Sequence, residues 1–386
     1  MKNFGIVVIG FNRLNCLERL IGSLLRADYM GDKVDLIISL DKSESDVLSN
    51  YAAAVDWPHG TKQVINHKER IGLKRHVLKC GELTRTYENI CVLEDDLYVS
   101  PGFYGFAKQA IASFTDFDGV AGISLYSYQW NQYANRPFQP IEDEYDAYLL
   151  KIASSWGQIW NRVAWADFMQ WFEQMDGGDL SCDCLPSAVS QWSEKSWLKY
   201  HNRYLVDTGK YFVYPRQSLS TNFSEIGEHS RANSTTYQVS LPVRSRRAYV
   251  FPAKLSDSVR YDAFFENENL SHNLDLSPEE IDIDLYGTRP RRRRYLLSAE
   301  RKKFKLVKSF GLMLRPIELN VVMKIPGEEI FLYDTTCAEI NQPSRKRSSK
   351  RFQYEIRTDS KKELLKLAIV LYANAIRRRL SRRHNS

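Results

Sequence analysis

Apolar residues in this chain fall into two rhythms. Short apolar runs bounded by polar or turn residues recur through the first third, at residues 4–9, 34–40, 63–65, 90–93 and 120–124. Runs of that length, rich in Val and Ile, predict strands covered on both faces. Between them the spacing becomes helical. Leu17, Ile21, Leu24 and Leu25 mark one helix, residues 44–55 a second, and a third runs to about residue 114. Ser100 and Pro101 suit the N-cap and first turn of that third helix. Residues 125–150, rich in Tyr, Gln, Asn and Trp, read as loop. Val163, Trp165, Phe168 and Trp171 predict the core face of another helix, and residues 211–214 a further strand. Strands alternating with helices predict an α/β fold with a doubly wound, mostly parallel sheet flanked by helices.

The chemistry-bearing residues gather at the carboxyl ends of the predicted strands, where open α/β sheets bind ligands. Arg13 follows the first strand, Asp41 ends the second, and a basic loop, residues 67–76, follows the third. The fourth stops on Glu94-Asp95-Asp96. Three adjacent acids repel one another unless a positive charge sits among them. A hard divalent cation that also bridges phosphates would supply it. There is no Gly-x-Gly-x-x-Gly after the first strand and no Walker A sequence, which weighs against a dinucleotide-binding site and a phosphate-loop ATPase.

These residues carry a resemblance. Ile6-Val-Val-Ile-Gly-Phe-Asn-Arg13, Ile37-Ile-Ser-Leu-Asp41 and Val92-Leu-Glu-Asp-Asp-Leu-Tyr-Val-Ser-Pro-Gly-Phe103 resemble the nucleotide-sugar half of a GT-A fold glycosyltransferase. The stretch is similar to bacterial family 2 glycosyltransferases and to the N-acetylglucosaminyltransferase I family. The resemblance implies that Arg13 and Asp41 hold the nucleoside of a nucleotide-sugar donor, with a UDP-sugar favoured. It implies that Asp95 approaches the donor ribose or sugar and that Asp96 ligates Mn²⁺ or Mg²⁺. Arg70, Lys74 and Glu94 complete the expected donor-binding set. Trp156 and Gly157, in Ala153-Ser-Ser-Trp-Gly-Gln-Ile-Trp160, resemble the segment under the donor sugar. His229, in a Gly-Glu-His loop, is the expected second group near the metal. In many relatives an Asp follows the second Trp of a tryptophan pair and serves as general base of an inverting reaction. Leu198 stands there in this chain, and Glu194 is the expected substitute. Tyr126, Tyr128, Trp130 and Asn131 are candidates to stack on and hydrogen-bond a sugar.

Charge changes the picture for the C-terminal third. Residues 287–386 hold 26 Lys+Arg and 9 Asp+Glu, whereas the whole chain carries +7, so the remaining residues are net acidic. The expected organisation is a GT-A domain over residues 1–250 (nucleotide-sugar half 1–115, acceptor half 116–250), a linker at 251–286 and a basic region at 287–386. Within that region residues 317–333 alternate like a strand, and Ser360-Lys-Lys-Glu363 is a capping box. The box opens a helix with Leu365, Ile369, Tyr372, Ile376 and Leu380 on one face. Polybasic runs beside such a helix predict contact with an anionic membrane surface, fitting a glycan or lipid-linked acceptor; nucleic acid is the less favoured polyanion.

The six cysteines are scattered and read as reduced thiols. The N-terminus lacks signal-peptide features, and no run reaches the roughly 18 apolar residues of a membrane span. The expected location is cytoplasmic, on the inner face of the plasma membrane where the basic tail engages it. The expected function is metal-dependent, inverting sugar transfer in bacterial surface polysaccharide synthesis. A nucleotidyltransferase, or a non-catalytic scaffold or nucleic-acid binder acting through the tail, remains the alternative.

Overall fold

The structure, a computed structural model, describes residues 2–225, 235–246, 248–338, 348–356 and 360–384. It divides into two compact units, Met1–Glu339 and Ile340–Ser386. The first unit begins β1 (Lys2–Gly10), α1 (Leu14–Leu25), β2 (Asp35–Leu40), α2 (Val47–Ala54), β3 (Lys62–Asn66), α3 (Leu73–Gly81) and β4 (Tyr87–Glu94). The predicted alternation is thus present. β1 lies between β2 and β4, parallel to both, and β3 extends the parallel set beyond β2. Side chains along a strand point alternately to opposite faces. Ile6 and Val8 of β1 therefore enter one core with Leu17, Leu20 and Leu24 of α1, while Val7 and Ile9 enter another with Val77 and Trp165. Both faces are sealed, which is why the run is continuously apolar.

Beyond β4 the chain forms β5 (Leu97–Val99), α4 (Phe103–Phe114), β6 (Val120–Ser124), β7 (Trp130–Asn131), β8 (Arg136–Pro137), β9 (Ala147–Leu150) and β10 (Gln158–Asn161). It continues through α5 (Arg162–Met175), α6 (Ser187–Ser190), α7 (Trp197–Thr208), β11 (Tyr211–Pro215), β12 (Ser220–Asn222) and β13 (Arg260–Tyr261). The central sheet has the order β13-β9-β11-β6-β10-β4-β1-β2-β3. β10 is antiparallel to β4 and β6, β11 is parallel to β6, and β9 with β13 runs opposite to β11. The fold is α/β with a mostly parallel sheet, as the strand and helix pattern predicted.

Several expectations fail for identifiable reasons. Leu73–His76, expected as loop, is the first turn of α3. The third helix is capped by Gly102 rather than Ser100, because Leu97–Val99 pairs with Ser220–Asn222 and holds residues 100–102 outside the helix. The stretch 125–150 is not simply loop: it holds β7, β8 and the sheet strand β9. Tyr126 and Tyr128 are buried at 0% and 3% exposure, and Asn131 at 0%. Uncovering such a ring to stack on a sugar would forfeit about 2 kcal/mol of burial each, so both tyrosines serve the core. The Asn131 side chain is committed to Tyr133, Ala134 and Phe264 backbone groups.

Residues 251–286 are not a linker. β13 lies in the central sheet, Tyr261, Phe264, Phe265 and Leu270 are buried, and α8 (Leu270–Asn273) leads to β14 (Ile281–Asp284). β14 joins β15 (Tyr295–Ser298), β16 (Phe304–Phe310) and β17 (Ile330–Ala338) in a second sheet of order β14-β15-β17-β16, with α9 (Leu319–Val322) between β16 and β17. The small β unit expected at 317–333 is therefore larger and begins earlier. The first basic run is built into this layer: Arg289 pairs with Asp262, Arg292 with Asp183, Arg293 with Asp282 and Arg294 with Asp334. These arginines answer the acidity of the body instead of forming a free basic patch. Cys182 and Cys184 are joined in a disulfide, their Cα atoms 5.1 Å apart, which corrects the reading of six reduced thiols.

The second unit contains α10 (Ser348–Ile356) and α11 (Lys361–His384). Ser360 Oγ accepts the Glu363 backbone N–H, as the capping box requires. The apolar face expected on α11 is not its only one. Leu367, Val370 and Leu371, on other sides of the helix, are exposed along with Leu365, Ile369 and Tyr372. No helix among the described residues is long and apolar enough to cross a membrane.

Candidate active site

β1, β2 and β4 all end at one edge of the sheet, and a cleft of about 470 Å³ opens there. Its floor is the triad that ends β4. Arg13, on the loop after β1, inserts its guanidinium among these acids: Nε lies 3.3 Å from Asp95 Oδ2, Nη2 pairs with Asp95 Oδ1, and Nη1 is 3.5 Å from Asp96 Oδ2. One guanidinium thus serves two of the three carboxylates. Burial, with Asp96 and Asp95 close by, pushes the Glu94 carboxyl up to about 8. Burial also lifts Asp95 to about 6, although Arg13 opposes it.

The turn after the triad matters as much as the triad. Antiparallel pairing of β5 with β12 sets Leu97 opposite Asn222. Asn222 Nδ2 then donates to Asp96 Oδ1 at 3.1 Å, and the Phe223 N–H donates to the Asp96 carbonyl. Two residues on, Glu225 faces the same cleft. Arg19 holds it at 2.6 and 3.0 Å and Cys16 Sγ donates to it at 2.8 Å, so its carboxyl falls to about 2, the Arg19 bond being the main cause. Sequence reading passed over Asn222 and Glu225, since a strand pairing more than a hundred residues long in range brings them here.

Asp41 lies in the cleft wall, but its oxygens accept the backbone N–H groups of Lys42, Ile71 and Gly72, each at 2.9 Å. Burial alone would raise its carboxyl; the three donors outweigh that and lower it. Asp41 thereby clamps the loop carrying Arg70, whose guanidinium sits 4.6 Å over the Phe11 ring in the cleft. His76, beneath, shares a 2.7 Å hydrogen bond with Ser39 Oγ, and burial lowers it to about 4, leaving it neutral near pH 7.

Trp156 lines the cleft, and Gly157, expected beside it, stands behind it as the turn that sets the ring. Gly157 has φ +91°, and a Cβ there would lie 3.2 Å from Leu125, so the position favours glycine doubly. Its carbonyl accepts the Leu125 N–H while Ser220 Oγ donates to the Trp156 carbonyl at 2.6 Å, fixing the turn. The Trp156 ring packs against Tyr126 and Tyr237 at 4.7 Å and faces the cleft.

Two expected site residues are elsewhere. Lys74 lies on the first turn of α3; its Nζ bonds Asp176 at 2.6 Å and sits 4.0 Å over the Tyr200 ring. It does not line the cleft because the residues expected to be loop are helical. Glu194 is also outside the cleft, 61% exposed, and held by Lys199 at 2.5 Å and Tyr200 at 3.1 Å. Its nearness in sequence to Trp192 and Trp197 does not carry it to the acids, which corrects its expected role as base. His229 lies outside the described residues.

No three His, Cys, Asp or Glu side chains among the described residues converge into a group able to ligate an ion unaided. The residues fit a different arrangement. Asp96 faces the cleft beside Arg13, and small hard cations are commonly bound by one or two carboxylates together with substrate phosphates.

No family profile and no curated protein matches the sequence. Solved structures with a similar arrangement include Staphylococcus aureus TarS residues 1–349 in complex with UDP-GlcNAc, at 13% identity and a TM-score of 0.36. A mannosyltransferase from Pyrobaculum calidifontis in complex with GDP-Man and Mn²⁺ is 13% identical with a TM-score of 0.34. GalNAc-T7 with UDP, GalNAc and Mn²⁺ is 12% identical with a TM-score of 0.37. These alignments cover 59%, 55% and 56% of this chain, and 60%, 56% and 43% of those chains respectively.

Proposed function

We propose that this chain is a metal-dependent glycosyltransferase that moves a hexosyl or N-acetylhexosaminyl group from a nucleotide-sugar donor to a hydroxyl of a glycan or lipid-linked acceptor. The observation that carries the reading is the acid-rich cleft at the carboxyl edge of β1, β2 and β4, walled by an aromatic ring on a rigid glycine turn. A UDP-sugar donor, inversion by direct displacement and a role in surface polysaccharide synthesis complete it. Mn²⁺ or Mg²⁺, held at Asp96, would offset the charge that builds on the departing diphosphate. Arg13 fixes the orientation of Asp95 and Asp96. Asn222 holds Asp96 from the other side. Arg70, on the loop clamped by Asp41, offers a guanidinium to phosphate oxygens. Trp156 supplies a flat apolar surface to the sugar. Glu225 also faces the cleft, its carboxylate held by Arg19 and Cys16.

A ligand that binds only the folded state raises its melting temperature. Nucleoside diphosphates with Mn²⁺ are expected to stabilise the protein by several degrees, UDP most, and Asp96→Asn is expected to lose the metal-dependent part. Absence of any nucleotide effect in the wild type would overturn the reading.

A peripheral membrane location belongs to the same proposal and rests on α11. Its mostly apolar residues 367–376 are flanked in sequence by Lys361, Lys362 and Lys366 and by Arg377-Arg378-Arg379. Deleting residues 340–386, and not the whole of 287–386 with its sheet strands, is expected to abolish co-sedimentation with vesicles containing phosphatidylglycerol. Undiminished sedimentation of the truncated protein would remove the membrane from the proposal.

A further inference from the structure

A second cavity, of about 440 Å³, opens at the opposite edge of the central sheet. Lys151 follows the end of β9, Tyr211 begins β11 and Arg260 begins β13. Because β11 is parallel to β6 while β9 runs against it, the start of β11 and the end of β9 share the edge away from the triad, and Arg260 stands beside Leu149 near that end of β9. Residues of α8, β14 and the arginine-rich segment after β14 close the cavity.

The charges lining it are almost matched. Glu268 accepts from Lys151 at 2.7 Å and from Tyr211 Oη at 2.5 Å. Asp262 pairs with Arg289, Asp183 with Arg292 at 3.1 Å and Asp282 with Arg293 at 3.9 Å, Asp282 also accepting the Arg292 and Arg293 backbone N–H groups. Each lining carboxylate therefore has its cation. Arg260 remains. Its guanidinium pairs with no carboxylate among the described residues, and its Nε is buried without an acceptor. A buried, charged donor left unpaired is costly, and a cavity beside it gives an acceptor room to enter. His272 lines the same space. Crowding shows in Arg289, which burial and the nearby Arg293 and Arg292 lower to about 10.

We propose that this cavity binds an oxyanion of the phosphate class, with Arg260 as principal donor and Arg292 and His272 contributing from the lining. A guanidinium offers paired donors that match phosphate oxygens. The cavity exceeds the volume of bare phosphate, so the group is carried on a larger molecule as a phosphate ester. The site lies away from the acid cleft, and the inference stands whether or not that cleft transfers sugar.

Melting temperature measured against inorganic phosphate and against glycerol 1-phosphate, at ionic strength held constant with chloride, tests it. Wild-type protein is expected to gain several degrees at millimolar ligand, more with the ester. Asp96→Asn is expected to keep the gain and Arg260→Gln to lose most of it. If Arg260→Gln does not fold, Arg292→Gln, whose side chain is 54% exposed, is expected to weaken the apparent affinity several-fold. A response to inorganic phosphate alone would keep the oxyanion site and overturn the ester. A gain in Arg260→Gln or Arg292→Gln equal to wild type, or an equal gain with acetate, would overturn the phosphate assignment.

Discussion

At the carboxyl edge of β1, β2 and β4, Asp95 and Asp96 share the Arg13 guanidinium with Glu94 beside them; at the other edge, Lys151, Arg289, Arg292 and Arg293 pair with Glu268, Asp262, Asp183 and Asp282, and Arg260 stands among them. One sheet thus presents surplus negative charge at one margin and surplus positive charge at the other. The two surpluses arise differently. The acids are consecutive in sequence, so a strand ending on them cannot avoid the crowding. Three of the arginines come from one short run, Lys151 and Arg260 from distant strands, and nearly every one is neutralised locally. Within a protein, an uncompensated charge costs much more than a compensated pair. The residues that carry the proposals sit where charge is in surplus: Asp96 in the acid triad on one side, Arg260 without a carboxylate partner among the described residues on the other.

The largest effect should come from breaking the acidic edge. Asp96→Ala is expected to lower the rate of nucleoside diphosphate release from a sugar-nucleotide donor by about 100-fold or more, the scale of losing one preorganised electrostatic group. Glu194→Gln, by contrast, should leave that rate within about two-fold, because its carboxylate is exposed and tied to Lys199 and Tyr200. Initial rates in saturating Mn²⁺ decide both. A Glu194→Gln enzyme as impaired as Asp96→Ala would return the base to Glu194 and require a rearrangement of α7.

The two edges were not equally legible in the sequence. The acidic edge announced itself because covered parallel strands read as unbroken apolar runs, and residues at their ends stand out against them. β4 and its acids needed no tertiary knowledge. Lys74 and Glu194 failed because sequence proximity to a loop or a tryptophan pair does not give direction: α3 turns Lys74 toward Tyr200, and the Lys199 contact holds Glu194 outside the cleft. The arginine edge was hidden. β13 is two residues long, and β14 reads Ile-Asp-Ile-Asp, the alternation of a half-exposed strand. Yet all four β14 residues are buried, since Asp282 accepts the Arg292 and Arg293 N–H groups and Asp284 those of Thr288 and Arg289. A basic run that looked free in sequence is the complement of those buried acids.

The smallest predicted effect sharpens the comparison through stability alone. Beneath the arginine edge, Tyr261 Oη donates to Glu318 Oε1 at 2.6 Å, and the Glu318 side chain is buried at 3% exposure. Burial raises its carboxyl to about 7, Tyr261 opposing in part. An acid whose folded-state value is raised keeps its proton after the unfolded chain has released it. Between about pH 4.5 and 7 the folded state therefore binds more protons, and stability falls as pH rises. Its contribution is fully present below that window and lost above it. Glu318→Gln keeps a carbonyl acceptor for Tyr261 and removes the titration. Relative to wild type, the variant should gain stability steadily from pH 4.5 to 7, by about 1–3 kcal/mol at the upper end. Urea unfolding at pH 5 and pH 7.5 measures the difference. Parallel curves for the two proteins would mean that Glu318 is ionised throughout, and that the layer under the arginine edge admits a compensating charge.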